Sequence, residues 1–177
     1  MRRFAIDPKD GAAANVLNDS PSTVGHTRTT CIPTLLRGGH ADNALPQSAT
    51  ATVNCRIFPG VAVADVGTQL QQQVGASVEV KVIGSPIASD ASPLRADVLA
   101  AVTRAVHGLH PGVPVVPVQE SGATDGLYFR AAGIPTYGVS GVFIKDSDSF
   151  AHGLNERVPV QSFYDELEHW KTIIEAI

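Results

Sequence analysis

The sequence predicts a mixed α/β protein built in two parts. Apolar and polar residues alternate cleanly over 48–58, which indicates a β-strand, and apolar residues recur at helical spacing over 160–177. Between them, the segment 84–91 contains the proline, serine and glycine residues that are typical of a linker. Residues 1–84 therefore form one predicted domain and residues 85–177 the other.

The first part is predicted to be an incomplete split βαβ domain behind an irregular lead-in. The lead-in, 1–27, is polar and turn-rich, with one or two helical turns at most over 12–17. The elements that follow are strands at 28–37 and 48–58, a helix at 63–74 and a strand at 78–83. Pro33 favours an edge or bulged position for the first strand. A complete unit of this kind has one more strand and one more helix at its front.

The second part alternates helices and strands, which predicts a fragment of an α/β layer. Ser92 and Pro93 suit the N-cap and first position of a helix. The predicted elements are a helix at 92–107, a strand at 113–118, a short helix at 126–132, a strand at 134–141 and a final helix at 160–177. We expect the final helix to pack on a sheet through Phe163, Leu167, Trp170, Ile173, Ile174 and Ile177.

The two cysteines are predicted to face each other across the hairpin. Cys31 and Cys55 are equally distant from Asn43, the midpoint of the two strands. Their spacing is not that of a metal-binding pair. A pair of small buried thiols is favoured over a disulfide bond, and both alternatives stay open.

Composition excludes two classes of function. The net charge is -4 without a basic run, so nothing indicates nucleic-acid binding. No stretch approaches eighteen apolar residues, so no membrane span is expected. The first residues lack the apolar region of a signal peptide, and the native N-terminus is expected to be missing. We expect a soluble protein, and the cytoplasmic, periplasmic and secreted locations all remain open.

His152 is the candidate metal ligand. It lies in a small, polar turn between a predicted strand and the last helix, and ligands of α/β sheets bind at strand ends. An imidazole there can bind a metal or move a proton. On local features alone, a histidine of a surface loop is the favoured alternative.

Asn43 and Arg56 are candidates for binding a carboxylate. A guanidinium group donates two parallel hydrogen bonds to a carboxylate, and a carboxamide adds another donor. The alternative is a turn asparagine and a solvated strand arginine, which the local pattern favours. Gly122 and Thr124 lie in a small-residue loop whose backbone N–H groups could hold an anion, while a plain N-cap by Thr124 or Asp125 is at least as well supported.

Three ordered motifs give the chain a resemblance to a known family. They are GGHADNALPQSATATVNCRIFPG, SGATDGLYFRAAGIPTYGVSG and FAHGLNERVP. Over about residues 28–177 the sequence resembles the C-terminal part of the dinuclear zinc metallopeptidases of family twenty. That family includes aminoacylase, carboxypeptidase S, glutamate carboxypeptidase, succinyl-diaminopimelate desuccinylase and the carnosine dipeptidases. The resemblance implies an incomplete lid, or dimerisation, domain in 1–84 and the C-terminal segment of a zinc-exopeptidase-like catalytic domain in 85–177.

The resemblance also implies a role for each candidate residue. His152 matches a zinc ligand, Asn43 and Arg56 match the pair that grips the free carboxylate of the substrate, and Gly122 and Thr124 match the loop lining the pocket. The implied reaction is hydrolysis of an amide bond next to a free carboxylate, in a dipeptide, at a C-terminal residue or in an N-acyl amino acid. Because the missing front of the lid would leave sheet edges open to pairing with a second copy, we expect a homodimer or a swapped assembly formed through the lid domain.

The remaining parts of the family's catalytic site are not found in this sequence. The family's H-x-D motif, bridging aspartate, Glu-Glu pair and further acidic ligand precede the lid. A two-zinc hydrolase needs about five ligands and a general base. We therefore expect no catalytic residue in this chain and no activity from the chain alone. The alternative is a non-catalytic module, derived from the lid, for dimerisation or carboxylate binding.

Overall fold

The computed structural model describes residues 2–7, 10–21 and 23–177. In chain order the elements are α1 (Arg2–Ile6), α2 (Gly11–Asn18), a 3-10 turn (Val24–His26), β1 (Thr30–Gly38), β2 (Ala49–Arg56), α3 (Val63–Val74), α4 (Ala96–Leu109), α5 (Gly126–Ala131), a second 3-10 turn (Asp146–Asp148) and α6 (Val160–Ile174). The mixed α/β class is confirmed. Among the described residues the regular sheet has two strands.

The chain divides into two compact units. The first unit contains Met1–Ala91 and Val118–Ile134, and the second contains Ser92–Pro117 and Pro135–Ile177. The loop that carries Gly122 and Thr124 therefore packs with the hairpin rather than with the segments beside it in sequence. The division into domains at residues 84 and 85 stays a prediction.

The predicted hairpin is confirmed. β1 and β2 are antiparallel, and Thr30 lies opposite Arg56 while Gly38 lies opposite Ala49. The register shifts between Pro33 and Leu35, because a proline donates no hydrogen bond to the ladder. Most residues of both strands are exposed to solvent.

The preference for free thiols was wrong. Cys31 and Cys55 face each other in the register, as expected, and they form a disulfide bond. Sequence spacing predicts that two residues lie opposite each other but not whether their sulfur atoms are bonded. The disulfide connects the two strands near the end at which Arg56 lies.

The strand predicted at 78–83 does not form. Helix α3 has the predicted bounds, with Val66 buried, but the segment after it pairs with no described strand. The side chain of Gln71 binds that segment instead: Nε2 donates to the Val78 carbonyl at 2.8 Å, and Oε1 accepts from Val80 N at 3.0 Å. These bonds satisfy backbone groups that a strand would offer to a neighbour.

The second unit has its core between α4 and α6. Ala101, Ala105 and Val106 of α4 and Ile173 of α6 are buried. His169 of α6 is also buried, at 1% exposed, and neither ring nitrogen has a hydrogen-bond partner among the described residues. The predicted start of α4 was wrong, because the Ser92 hydroxyl binds both backbone groups of Thr136 and caps no helix.

Two further predicted strands are absent from the described part of the chain. Pro114 and Pro117 interrupt the segment 113–118, and neither can donate to a strand ladder. The segment 134–141 is bound by side chains, since the N–H of Gly141 donates to the Glu166 carboxylate and the N–H of Thr136 donates to Ser92. Apolar composition alone predicted these strands.

The apolar stripe predicted for the last helix is mostly exposed. Among its members only Ile173 is buried, while Phe163, Leu167 and Ile174 are 56%, 58% and 72% exposed. The helix buries a neighbouring face that contains His169. The expectation that this stripe packs on a sheet was therefore wrong for the described structure.

Candidate substrate-binding site

A cavity of about 320 Å³ lies within the first unit. It is lined by the end of β2 and the residues after it, by the segment 86–89, and by the loop and helix of residues 119–130. Arg56, Gly122 and Thr124, three of the four predicted substrate-binding residues, all line this cavity. The fold thus brings together two motifs that are far apart in sequence.

Arg56 is the last residue of β2, and its backbone is held on both sides. Cys55 is bonded to Cys31, and Phe58 N donates to the Thr29 hydroxyl at 2.9 Å. The Arg56 side chain is exposed and makes no hydrogen bond or ion pair with any described residue. A guanidinium group that is positioned but unpaired is suited to bind a carboxylate in two-bond geometry.

Glu120 fixes the loop that carries Gly122. Its Oε1 accepts from Ser121 N at 2.8 Å and from Gly122 N at 3.3 Å. These two N–H groups are therefore occupied and do not form an open anion site. Asp125 occupies the N-cap position of α5, as one alternative expected, but its side chain makes no capping bond.

Two contacts hold this loop against the lead-in of the chain. A Cβ on Gly25 would lie 2.6 Å from Ser121 Cβ, so only glycine permits this approach. His26 Nε2 lies 3.9 Å from Glu120 Oε1, and His26 Nδ1 is buried without a partner among the described residues. Sequence reasoning missed Glu120, Gly25 and His26. Their association depends on a contact that no local pattern encodes.

The cavity is lined by both apolar and charged side chains. Ile57, Phe58, Val61, Ile87 and Leu127 contribute apolar lining. The charged lining consists of Arg56, Glu120 and Arg130, whose Nε donates to the Ser89 hydroxyl at 3.4 Å. This arrangement is typical of a small-molecule site, in which a few polar groups orient a largely apolar ligand.

Asn43 is not brought to this cavity within one chain. It lies exposed in the turn between the strands, whereas Arg56 lies at the other end of the hairpin. The seven residue steps along β2 span roughly 23 Å at about 3.3 Å each. Joint binding of one carboxylate by Asn43 and Arg56 stays a prediction.

His152 lies in the second unit, in a tight turn. Gly153 N donates to the Phe150 carbonyl at 2.8 Å, and His152 has a φ of 63°. Its side chain is exposed. Position i+2 of such a turn favours glycine, because a side chain there is disfavoured sterically. Whether His152 binds metal stays a prediction.

The donor set for a zinc ion is incomplete in the described chain. No group of three or more His, Cys, Asp or Glu side chains among the described residues could hold a metal ion. A zinc site needs three or four such ligands. The described residues therefore do not fit the complete zinc centre that the resemblance implies, and no reaction step through zinc follows from them.

No helix within the described residues is long and apolar enough to cross a bilayer.

Comparisons with known proteins give matches to one family. Residues 6–80 match the family model of the peptidase dimerisation domain. The chain is 34% identical over 151 residues to an N-fatty-acyl-amino acid synthase/hydrolase of Xenopus tropicalis, a match covering 82% of the chain and 29% of the relative. It is 29% identical over 155 residues to the Homo sapiens protein of that name, covering 84% of the chain and 31% of the relative. No solved structure gives a significant match.

The matches agree with the three sequence motifs. The chain spans only about 30% of the length of these relatives, 29% and 31% respectively. The family model covers the hairpin and α3, and the matches to the relatives extend over most of the chain. The chain thus matches family twenty of the peptidases, and its residues 6–80 match the dimerisation domain of that family.

Proposed function

We propose that this chain is the dimerising and carboxylate-binding part of a hydrolase that cleaves an amide bond next to a free carboxylate. The observation that carries the proposal is the unpaired guanidinium of Arg56 at the wall of a cavity that apolar side chains also line. The substrate is a dipeptide, the C-terminal residue of a peptide or an N-acyl amino acid. The relatives named N-fatty-acyl-amino acid synthase/hydrolase support the last of these.

The cavity supplies two parts of such recognition. Arg56 binds the carboxylate, and the lining of Ile57, Phe58 and Leu127 receives an apolar side chain next to it. Gly122 and Thr124 line the same cavity without adding a charge. A single chain does not bring Asn43 to the cavity, so Asn43 joins the site only through a contact with another chain.

The proposal includes a catalytic metal for the whole enzyme, but no reaction step of this chain depends on that metal. We propose zinc as the metal of the whole enzyme and His152 as one of its ligands. The described residues gather no set of three ligands. We therefore expect the chain alone to bind substrate without hydrolysing it.

A titration with N-acetyl-L-leucine, followed by NMR chemical shifts, tests this function. We expect saturable shifts at the cavity and no hydrolysis when zinc is added. Arg56→Ala should weaken binding about fivefold, or ~1 kcal/mol, since a charge-assisted pair that is open to solvent is partly screened. Arg37→Ala is the matched control, because Arg37 is an exposed strand arginine outside the cavity lining. Turnover above background, or equal binding by both variants, contradicts the proposal.

A second candidate function is a dimerisation module without catalysis. The match of residues 6–80 to a dimerisation domain favours it. It predicts self-association without any binding of N-acetyl-L-leucine. The NMR titration with N-acetyl-L-leucine, together with sedimentation velocity, separates the two functions.

A further inference from the structure

The cavity holds a negative charge that the proposed carboxylate recognition does not use. Glu120 lines the same cavity as Arg56, and the two side chains form no ion pair. A carboxylate at the wall of a site for anionic ligands works against binding of the anion unless the ligand also carries a positive group. Glu120 therefore requires an explanation of its own.

The carboxylate of Glu120 is fixed through one of its two oxygens. Oε1 accepts both loop N–H groups and faces His26 Nε2, whereas Oε2 accepts no hydrogen bond from any described residue. The close contact of Gly25 with Ser121 holds this loop in place. One oxygen orients the group, and the other remains open to a ligand.

Opposite charges that line one cavity without pairing indicate a ligand that carries both charges. Arg56 and Glu120 line one cavity of about 320 Å³, a volume that admits one short molecule. Arg56 supplies donors for a carboxylate, and Glu120 Oε2 supplies an acceptor for an ammonium group. The apolar residues that also line the cavity suit an aliphatic side chain.

We propose that Glu120 is a specificity-determining residue that binds the free amino group of a ligand whose carboxylate is bound by Arg56. The cavity then prefers an unblocked α-amino acid to its N-acylated form. For an enzyme that hydrolyses N-acyl amino acids, such a ligand is the amino acid released when the amide bond breaks. The inference rests on the carboxylate-binding role of Arg56 proposed above.

The test compares three ligands by NMR titration of the full chain: L-leucine, N-acetyl-L-leucine and L-leucinamide. The first has both charges, the second lacks the ammonium group and the third lacks the carboxylate. We expect L-leucine to bind about three- to fivefold more tightly than either of the others, because the Glu120 side chain is 68% exposed and its ion pair is screened. Glu120→Gln keeps the oxygen that binds the loop and should abolish the preference for L-leucine over N-acetyl-L-leucine.

Two variants separate this inference from the proposed function. Glu79→Gln removes the same charge from the first unit at a position outside the cavity lining, and it should leave the preference unchanged. If Glu120→Gln retains the preference, the role of Glu120 is refuted. If Arg56→Ala binds N-acetyl-L-leucine as well as the native chain does, the carboxylate-binding function fails instead. Equal binding of L-leucine and N-acetyl-L-leucine by the native chain also refutes the inference.

Discussion

Asp10 caps the beginning of α2 with one carboxylate oxygen and binds Arg3 of α1 with the other. Oδ1 accepts from Ala13 N at 3.0 Å, and Oδ2 accepts from Arg3 Nε at 3.0 Å and Nη2 at 2.7 Å. The Ala13 N–H is the largest cause that lowers the pKa of Asp10 below its usual value of 3.8, and Arg3 adds to it. The ionised form is thus favoured by folding.

This lowered pKa gives the stability of α2 a defined dependence on pH. The contribution of Asp10 is fully present above a pH of about 3.8 and is lost as the pH falls through the lower pKa of the folded state. Asp10→Asn keeps an N-cap acceptor that does not titrate, so this acid-dependent loss should disappear. Hydrogen exchange of the α2 amides between pH 5 and 2, roughly the range in which such a group titrates, measures the effect. Identical acid profiles for the native chain and the Asp10→Asn variant would contradict it.

The residue types in the sequence predicted some members of the candidate site and missed others. Arg56, Gly122 and Thr124 line one cavity, and each was selected for its chemistry or its motif. Glu120 was missed because its role depends on the approach of Gly25 to Ser121, which are distant in sequence. A local pattern contains no sign of such a contact.

The hairpin depends on its disulfide more than on burial. An isolated two-stranded sheet is marginally stable in water, and both strands are largely exposed. The Cys31–Cys55 bond joins residues 24 positions apart and so limits the freedom of the unfolded loop. Because Cys55 and Arg56 both line the cavity, the disulfide also fixes one wall of the candidate site.

Replacing both cysteines tests the contribution of the disulfide. Cys31→Ser combined with Cys55→Ser should lower the free energy of unfolding of the first unit by about 3.5 kcal/mol, the chain-entropy value for a loop of this length. Denaturant unfolding with and without dithiothreitol measures it. The reductant should shift the native chain toward the double variant and leave the double variant unchanged. Coincident curves for the native chain in both conditions would show that the bond does not stabilise the unit.

Elements with strong local signals were predicted well, and those that need partners were not. Helix α3 was predicted at its observed bounds, because its apolar stripe and the glycine that ends it are both signals within the segment itself. The segment 78–83 is as rich in β-branched residues as a strand, but Gln71 binds its backbone and no described strand pairs with it. A strand needs a neighbouring strand to satisfy its backbone hydrogen bonds, and sequence alone does not show whether such a neighbour is present.

The whole molecule has little core for its apolar content. Hydrophobic residues make up 44% of the sequence, yet the buried apolar side chains among the described residues are few: Leu17, Val66, Ala101, Ala105, Val106 and Ile173. β1 exposes Leu35 and Leu36 at 54% and 79%, and no further strand among the described residues pairs with either edge of the two-stranded sheet. Open strand edges favour pairing with another chain.

We expect the chain to form a homodimer through its dimerisation domain. Sedimentation velocity at increasing concentration measures the association. Leu36→Lys places a charge on the exposed face of β1 and should shift the protein toward monomer by about tenfold in Kd, or ~1.4 kcal/mol. Leu154→Lys, at a fully exposed position outside residues 6–80, is the control and should not change the association. A monomer at every concentration would exclude the dimer.

The left-handed backbone conformation of His152 makes substitutions at this position a test of what its side chain contributes. A left-handed φ at a residue with a side chain costs about 1–2 kcal/mol, and glycine would relieve that strain within the same turn. Random substitution followed by selection for stability alone should therefore drive position 152 toward glycine. If selection for function retains histidine at position 152, the imidazole contributes to that function. The strength of this retention measures the contribution without any assumption about the ligand of the imidazole.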